Sequence, residues 1–219
     1  MHYNHLALSL GVIISLGSAT SSYALTPSTQ IEHKASHLHF IGNEKFEESA
    51  KTFISNLADQ GIGFLEDQDL SKDKREKEFR NLLKNNFDMK TIGRFALGRY
   101  WKVSTKTERK EYLSLFENMI VEVYARRFSE YNGQKLDITS ARLEGKADAL
   151  VSSKIVQSQG PKIDVDWRVR KKKNGKLKVI DIMVEGVSMS LTQRSDFASV
   201  IQRGGGKVDV LLTHLRGTE

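Results

Sequence analysis

Along the first part of the chain apolar residues recur every three or four positions; further on they alternate. Between Asn43 and Gly61 the residues Phe46, Ala50, Phe53, Ile54 and Leu57 share one face, the spacing of an amphipathic helix, with Gly61 and Gly63 expected to end it. Ser71 opens a second helix, SKDKREKEFRNLLKNNF, charged in its first half and carrying Phe79, Leu82, Leu83 and Phe87 later. Asp88 is placed to cap a short third helix holding Met89, Ile92, Phe95 and Ala96, and Gly98 suits the left-handed position past its end. Thr105 and Glu108 form a capping box, each side chain satisfying a backbone donor that a helix start leaves unpaired. After it, Tyr112, Leu115, Phe116, Met119, Ile120, Val123, Tyr124 and Phe128 make a stripe too broad for a narrow seam, so this longest helix faces apolar matter over a wide arc.

At Tyr131-Asn132-Gly133 the period falls to that of strands. Strand-like segments run from Lys135 to Leu143, Ala147 to Gln159, Lys162 to Arg170 and Lys176 to Val187, separated by Glu144-Gly145, Gly160-Pro161 and Asn174-Gly175. Such short connections imply an antiparallel meander. In the third segment Ile163, Val165, Trp167 and Val169 alternate with Asp164, Asp166, Arg168 and Arg170, giving one dry and one wet face. The middle of the fourth is apolar on both faces and is therefore expected to be central or partly covered. A helix capped by Ser190 or Thr192 then turns Phe197, Val200 and Ile201 inward, and a closing helix carries Val208, Leu211, Leu212 and Leu215. The order predicts an α+β domain over residues 43–217, with helices across one face of a curved four-stranded antiparallel sheet.

The N-terminus changes the picture. Leu6 to Leu16 form an apolar run too short to span a bilayer, and Ser22-Tyr23-Ala24 supplies the small residues of a cleavage site, so residues 1–24 are expected to be a secretory signal cut after about Ala24. Residues 25–42 are polar and aperiodic, the composition of a flexible lead-in. Their His33, His37 and His39 have ligand-like spacing, but no carboxylate or fourth ligand joins them and no metal site is expected. The chain has no cysteine, which excludes thiol catalysis and disulfides. A net charge of +7 suits anionic partners, and export makes nucleic acid the least suitable of them.

Candidate catalytic groups are few. There is no Gly-rich phosphate loop, nucleophile elbow or His-Glu metal motif. Asp164, Asp166, Asp181 and Glu185 could converge for acid-base work, as in a small envelope enzyme with the helix-and-sheet layout of ketosteroid isomerase, but alternation already accounts for Asp164 and Asp166, and Asp181 is expected in a structural ion pair. Arg168, Arg170, Lys171, Lys172, Lys173, Lys176 and Lys178 surround a hairpin tip, either as a solubilising surface or as an adaptor for an acidic partner. Arg94, Arg99, Lys102, Arg126 and Arg127 flank the aromatic stripe.

An ordered set of short motifs runs through these elements: Leu97-Gly98-Arg99-Tyr100-Trp101, Phe116 before Tyr124, Tyr131 with Gly133, Asp181 in VID, Glu185-Gly186-Val187-Ser188 and Arg194-Ser195-Asp196-Phe197. Over roughly Phe46 to Leu215 the chain resembles the MlaC family, also called the toluene-tolerance or ABC-transporter auxiliary family. The resemblance implies a non-enzymatic periplasmic phospholipid carrier without cofactor. It would exchange lipid between an outer-membrane lipoprotein complex and an inner-membrane ABC transporter with its lipid-binding substrate domain, maintaining outer-membrane asymmetry. It also implies an apolar cavity between sheet and helices, since roughly thirty methylenes at about 0.8 kcal/mol each make sheltering the acyl chains worth on the order of 20 kcal/mol, while a charged headgroup stays at the mouth. On that reading Phe87, Met89, Leu97, Tyr100, Phe116, Ile120, Val123, Tyr124, Trp167, Val169, Ile182 and Val184 are the candidate lining, with Arg94, Arg99 and Arg127 at the rim. Periodicity reports only which face is dry, so each lining candidate is equally compatible with ordinary core.

Overall fold

The computed structural model describes residues 33–217, with side chains from Glu44 onward; the signal expected over residues 1–24 and the histidine side chains of the lead-in lie outside that range. Helix α1 spans His33–Glu66, so it starts within the stretch read as a lead-in and runs through Gly61 and Gly63. Two interior glycines cost a helix about 1 kcal/mol each. Here the extension lets Phe64 meet Phe79 and Phe128, with ring centroids at 6.5 and 5.9 Å, and that packing offsets the cost.

The next helices begin where side-chain caps direct. Helix α2 (Lys72–Asn86) is opened by Ser71, whose hydroxyl accepts from the Lys74 amide. Helix α3 (Met89–Leu97) is opened by Asp88, accepting from Thr91 N, and is followed by Gly98 at φ 58°. A β-carbon at Gly98 would stand 2.8 Å from Arg194 Nε, so the position needs glycine for space as well as conformation. A single turn, α4 (Tyr100–Val103), leads to α5 (Lys106–Ala125), which carries the complete Thr105/Glu108 capping box and ends in a 3-10 turn at Phe128–Glu130.

The sheet is a meander in the order β1-β2-β3-β4-β5: β1 Lys135–Glu144, β2 Asp148–Val156, β3 Ile163–Lys171, β4 Leu177–Val184 and β5 Val187–Ser188. The expected fourth segment is thus two strands. Glu185 and Gly186, at φ 50° and 76°, turn the chain back so that Met183 and Val184 pair with Ser188 and Val187. Helix α6 (Met189–Arg203) is capped by Ser188 rather than by Ser190 or Thr192, because the Ser188 hydroxyl is the group that accepts from Leu191 N. Helix α7 (Val208–Arg216) closes the fold.

Two cores result. Phe46, Ala50, Ile54 and Leu57 of α1 pack on Ala149, Val151, Val169 and Val179 from the dry face of the sheet. Helices α3 to α7 form the other, around Leu97, Tyr112, Phe116, Phe197, Ile201 and Leu211. Helix α1 lies over β1 and β2, α2 and α3 meet β4, and α6 packs along β4 and β5, whereas α5 packs chiefly with α2, α3 and α7. Among the described residues no helix is long and apolar enough to cross a membrane.

Candidate functional site

Of the twelve apolar residues singled out from the sequence, nine belong to or border one of the two cores, and Val123, Tyr124 and Val184 belong to neither. Leu97, Tyr100 and Phe116 are 1%, 8% and 2% exposed inside the helical core, with Met89 and Ile120 half-buried at its margin. Phe116 stacks on Tyr112 at 5.8 Å and meets Phe197 edge-on at 6.2 Å, so a ligand reaches it only if this core opens. Val169 is fully buried in the sheet core, while Phe87, Trp167 and Ile182 are half-buried around it. Val184, at the far end of β4, is also half-buried.

Val123 and Tyr124 stand apart, 47% and 44% exposed near the C-terminal end of α5. Tyr124 joins an aromatic group in which its ring lies 6.2 Å from Phe79 and Phe79 lies 5.3 Å from Phe128. Burial pushes the Tyr124 phenol above its ordinary range, opposed by the nearby charge of Arg127. Tyr112, fully buried in the helical core, offers the contrast: its hydroxyl donates to Gly93 O at 2.9 Å.

Half-buried apolar side chains fringe both cores: Phe53, Leu82, Trp167 and Ile182 pack against the sheet core, Met119 and Ile120 against the helical core. Polar groups on the dry face are satisfied within it. The Trp167 indole N–H donates to Ser153 Oγ at 3.0 Å, and that hydroxyl donates to Val165 O at 2.8 Å. Such a surface asks no hydrogen bond of whatever covers it.

The cations expected at a rim occupy different places. Arg94 lies over the Trp101 ring at 5.9 Å, while Arg99 lies over Tyr100 at 5.0 Å and donates to its hydroxyl at 3.0 Å. Both sit at the α3–α4 corner; Arg127 lies by Tyr124, just past the end of α5.

The sheet carboxylates are occupied structurally. Asp164 pairs with Lys154, and Arg168 with Glu144 at 2.9 Å, so the wet face is laced by ion pairs. Asp181 is buried, but its expected ion pair is replaced by hydrogen bonds from Ser188 Oγ at 2.6 Å, Ile182 N at 3.0 Å and Ser190 N at 3.1 Å. Ser188 and Ser190 stand at the start of α6, so Asp181 fixes that helix to the sheet. Among the described residues no cluster of three or more potential ligands could hold a metal.

One feature escaped the sequence altogether. The β3–β4 hairpin tip folds against the junction of α2 and α3 and encloses with it an open depression of about 320 Å³. The run of lysines announced a charged tip, but nothing in it indicated what the tip would dock upon.

Comparison with known proteins agrees with this architecture. The model of the MlaC protein family matches residues 55–217. The intermembrane phospholipid transport system binding protein MlaC of Haemophilus influenzae is 25% identical over 155 residues, which are 67% of this chain and 71% of that protein. The toluene tolerance protein ttg2D of Pseudomonas putida is 23% identical over 111 residues, about half of either chain (51% of each). Among solved structures, the phospholipid-binding protein from Ralstonia solanacearum, determined in complex with a phospholipid at 1.53 Å, superposes with a TM-score of 0.66 and 25% identity over 76% of this chain and 94% of that one.

Proposed function

The chain belongs to the MlaC family, and from that premise we propose that it is a periplasmic phospholipid carrier, moving lipid between an outer-membrane lipoprotein complex and an inner-membrane ABC transporter to maintain outer-membrane asymmetry. The observation that carries the reading is the half-buried apolar margin of two separate cores, in a fold shared with a protein solved holding a phospholipid. Acyl chains inserted there would complete the burial of Trp167, Ile182, Met119 and Ile120, and about 0.8 kcal/mol per sheltered methylene supplies the free energy for the cores to part. The structural commitments of Asp164 and Asp181 favour a carrier over an acid-base enzyme.

Gentle purification followed by native mass spectrometry and organic extraction tests the proposal. The expected result is a phospholipid in stoichiometric amount. Protein that emerges free of lipid, and takes none up from phospholipid vesicles, overturns it.

A further inference from the structure

The depression beside the hairpin tip has the make-up of an anion site. Four lysines line it, Lys84, Lys172, Lys176 and Lys178, against the single acids Asp88 and Glu117. Its volume of about 320 Å³ falls at the small end of ligand pockets. Phe87 and Met89 supply its apolar part, and they belong respectively to the margins of the sheet core and the helical core. The depression therefore opens where the two cores adjoin.

The frame is held in place. Lys172 Nζ pairs with Asp88 Oδ2 at 2.5 Å, and the Asp88 amide donates to Val179 O at 2.9 Å. Lys178 Nζ donates to Lys84 O and Asn85 O, two of the terminal carbonyls of α2, at 3.0 and 2.5 Å. Glu117 is drawn toward Arg80 at 3.6 Å. Lys84 and Lys176 remain exposed, and neither ammonium has a hydrogen bond or ion pair among the described residues. Burial, together with the charges of Lys176 and Lys172, depresses the pKa of Lys178, although Asp88 opposes them. The cluster thus carries uncompensated positive charge on a fixed scaffold, the condition in which a multivalent oxyanion gains most from binding.

We infer that this depression is a phosphate-binding site, in which Lys84 and Lys176 close on an anion already framed by Lys172 and Lys178, with Phe87 and Met89 against whatever apolar group the phosphate bears. A lipid phosphodiester and free phosphate present the same chemistry. If the source is a bound lipid, the inference rests on the carrier reading.

The test titrates inorganic phosphate at low salt into the ¹⁵N-labelled full chain, once stripped of lipid by detergent and once loaded with phosphatidylglycerol, and follows the backbone amides. Saturable shifts confined to residues 88–91 and 172–178, weakened roughly tenfold in the double variant Lys84→Gln, Lys176→Gln, are the expected result. Both lysines are exposed and structurally unpaired, so the variant should fold as the parent does, and a thermal melt checks this. Loss of the shifts in the loaded protein, with a displaced lipid ³¹P resonance in the variant, identifies the headgroup as the source. Shifts that survive loading identify free phosphate. Shifts spread over other basic surfaces, or a variant that binds as the parent does, overturn the site. Lipid content by mass spectrometry is read separately, so a failed site and a failed carrier reading give different results.

Discussion

In the helical core Tyr112, Phe116 and Phe197 interlock ring against ring, whereas in the sheet core Phe46 of α1 is buried among aliphatic side chains and Phe53, Phe87 and Trp167 are left half-covered. Among the described residues the helical core has twelve buried residues fringed by eight partly buried ones, and the sheet core has eight fringed by ten. The proportion reverses, which marks the sheet side as the one with unfinished burial. A well-filled core holds its shape, while a core with an unfinished margin can accept further apolar atoms without expelling its own. If the chain carries lipid as proposed, the half-covered margin of the sheet core is where cargo would be accommodated, with the helical core as its fixed counterpart.

Substitutions can break or sharpen that contrast. The largest effect is expected from Phe116→Ala, which opens a cavity in the interlocked core and should cost about 3–5 kcal/mol in urea unfolding. Ile182→Ala, at a half-buried site, should cost only about 1–2 kcal/mol but reduce the lipid recovered with the protein. Equal costs for the two would mean the cores do not differ in tightness. Tyr112→Phe leaves Gly93 O without its donor and should cost about 1–2 kcal/mol, with lipid content unchanged.

The smallest effect is one of pH. Burial raises the pKa of Asp196, whose Oδ2 has no hydrogen-bond partner among the described residues. An acid that holds its proton more tightly when folded stabilises the protein below its unfolded pKa, near 3.9, and loses that contribution as pH rises through the folded value. Asp196→Asn should therefore be slightly more stable than the parent at neutral pH, with the difference vanishing in acid. Thermal melts across pH 3 to 7 measure it, and a difference that grows toward acid would refute the assignment.

Much of the helical framework was legible because caps are local chemistry: Ser71, Asp88, Thr105 with Glu108, and Gly98 each act within a few residues of where they stand. The dry face of β3 was legible for the same reason, since alternation is written along the strand itself. Features decided by distant partners were not. Gly61 and Gly63 lie within α1 because Phe64 finds aromatic neighbours on α2 and after α5. The Glu185-Gly186 turn was hidden by a non-glycine residue at positive φ. The broad stripe on α5 did not reveal that Phe116 would be sealed while Tyr124 stayed open, because periodicity gives the direction a side chain faces and not how completely that direction is filled.

The outer edge of β4 is occupied twice over, by Phe87–Asp88 alongside Val179 and by β5 alongside Met183 and Val184. That leaves β1 as the flank where a foreign strand could graft on. An irregularity between Ile138 and Ser140 interrupts its regular repeat, and exposed Lys135, Asp137 and Arg142 stud it with charge of both signs. Both devices discourage edge-to-edge stacking. A half-covered apolar margin on the sheet core can thus sit behind a sheet edge that resists pairing with a neighbour.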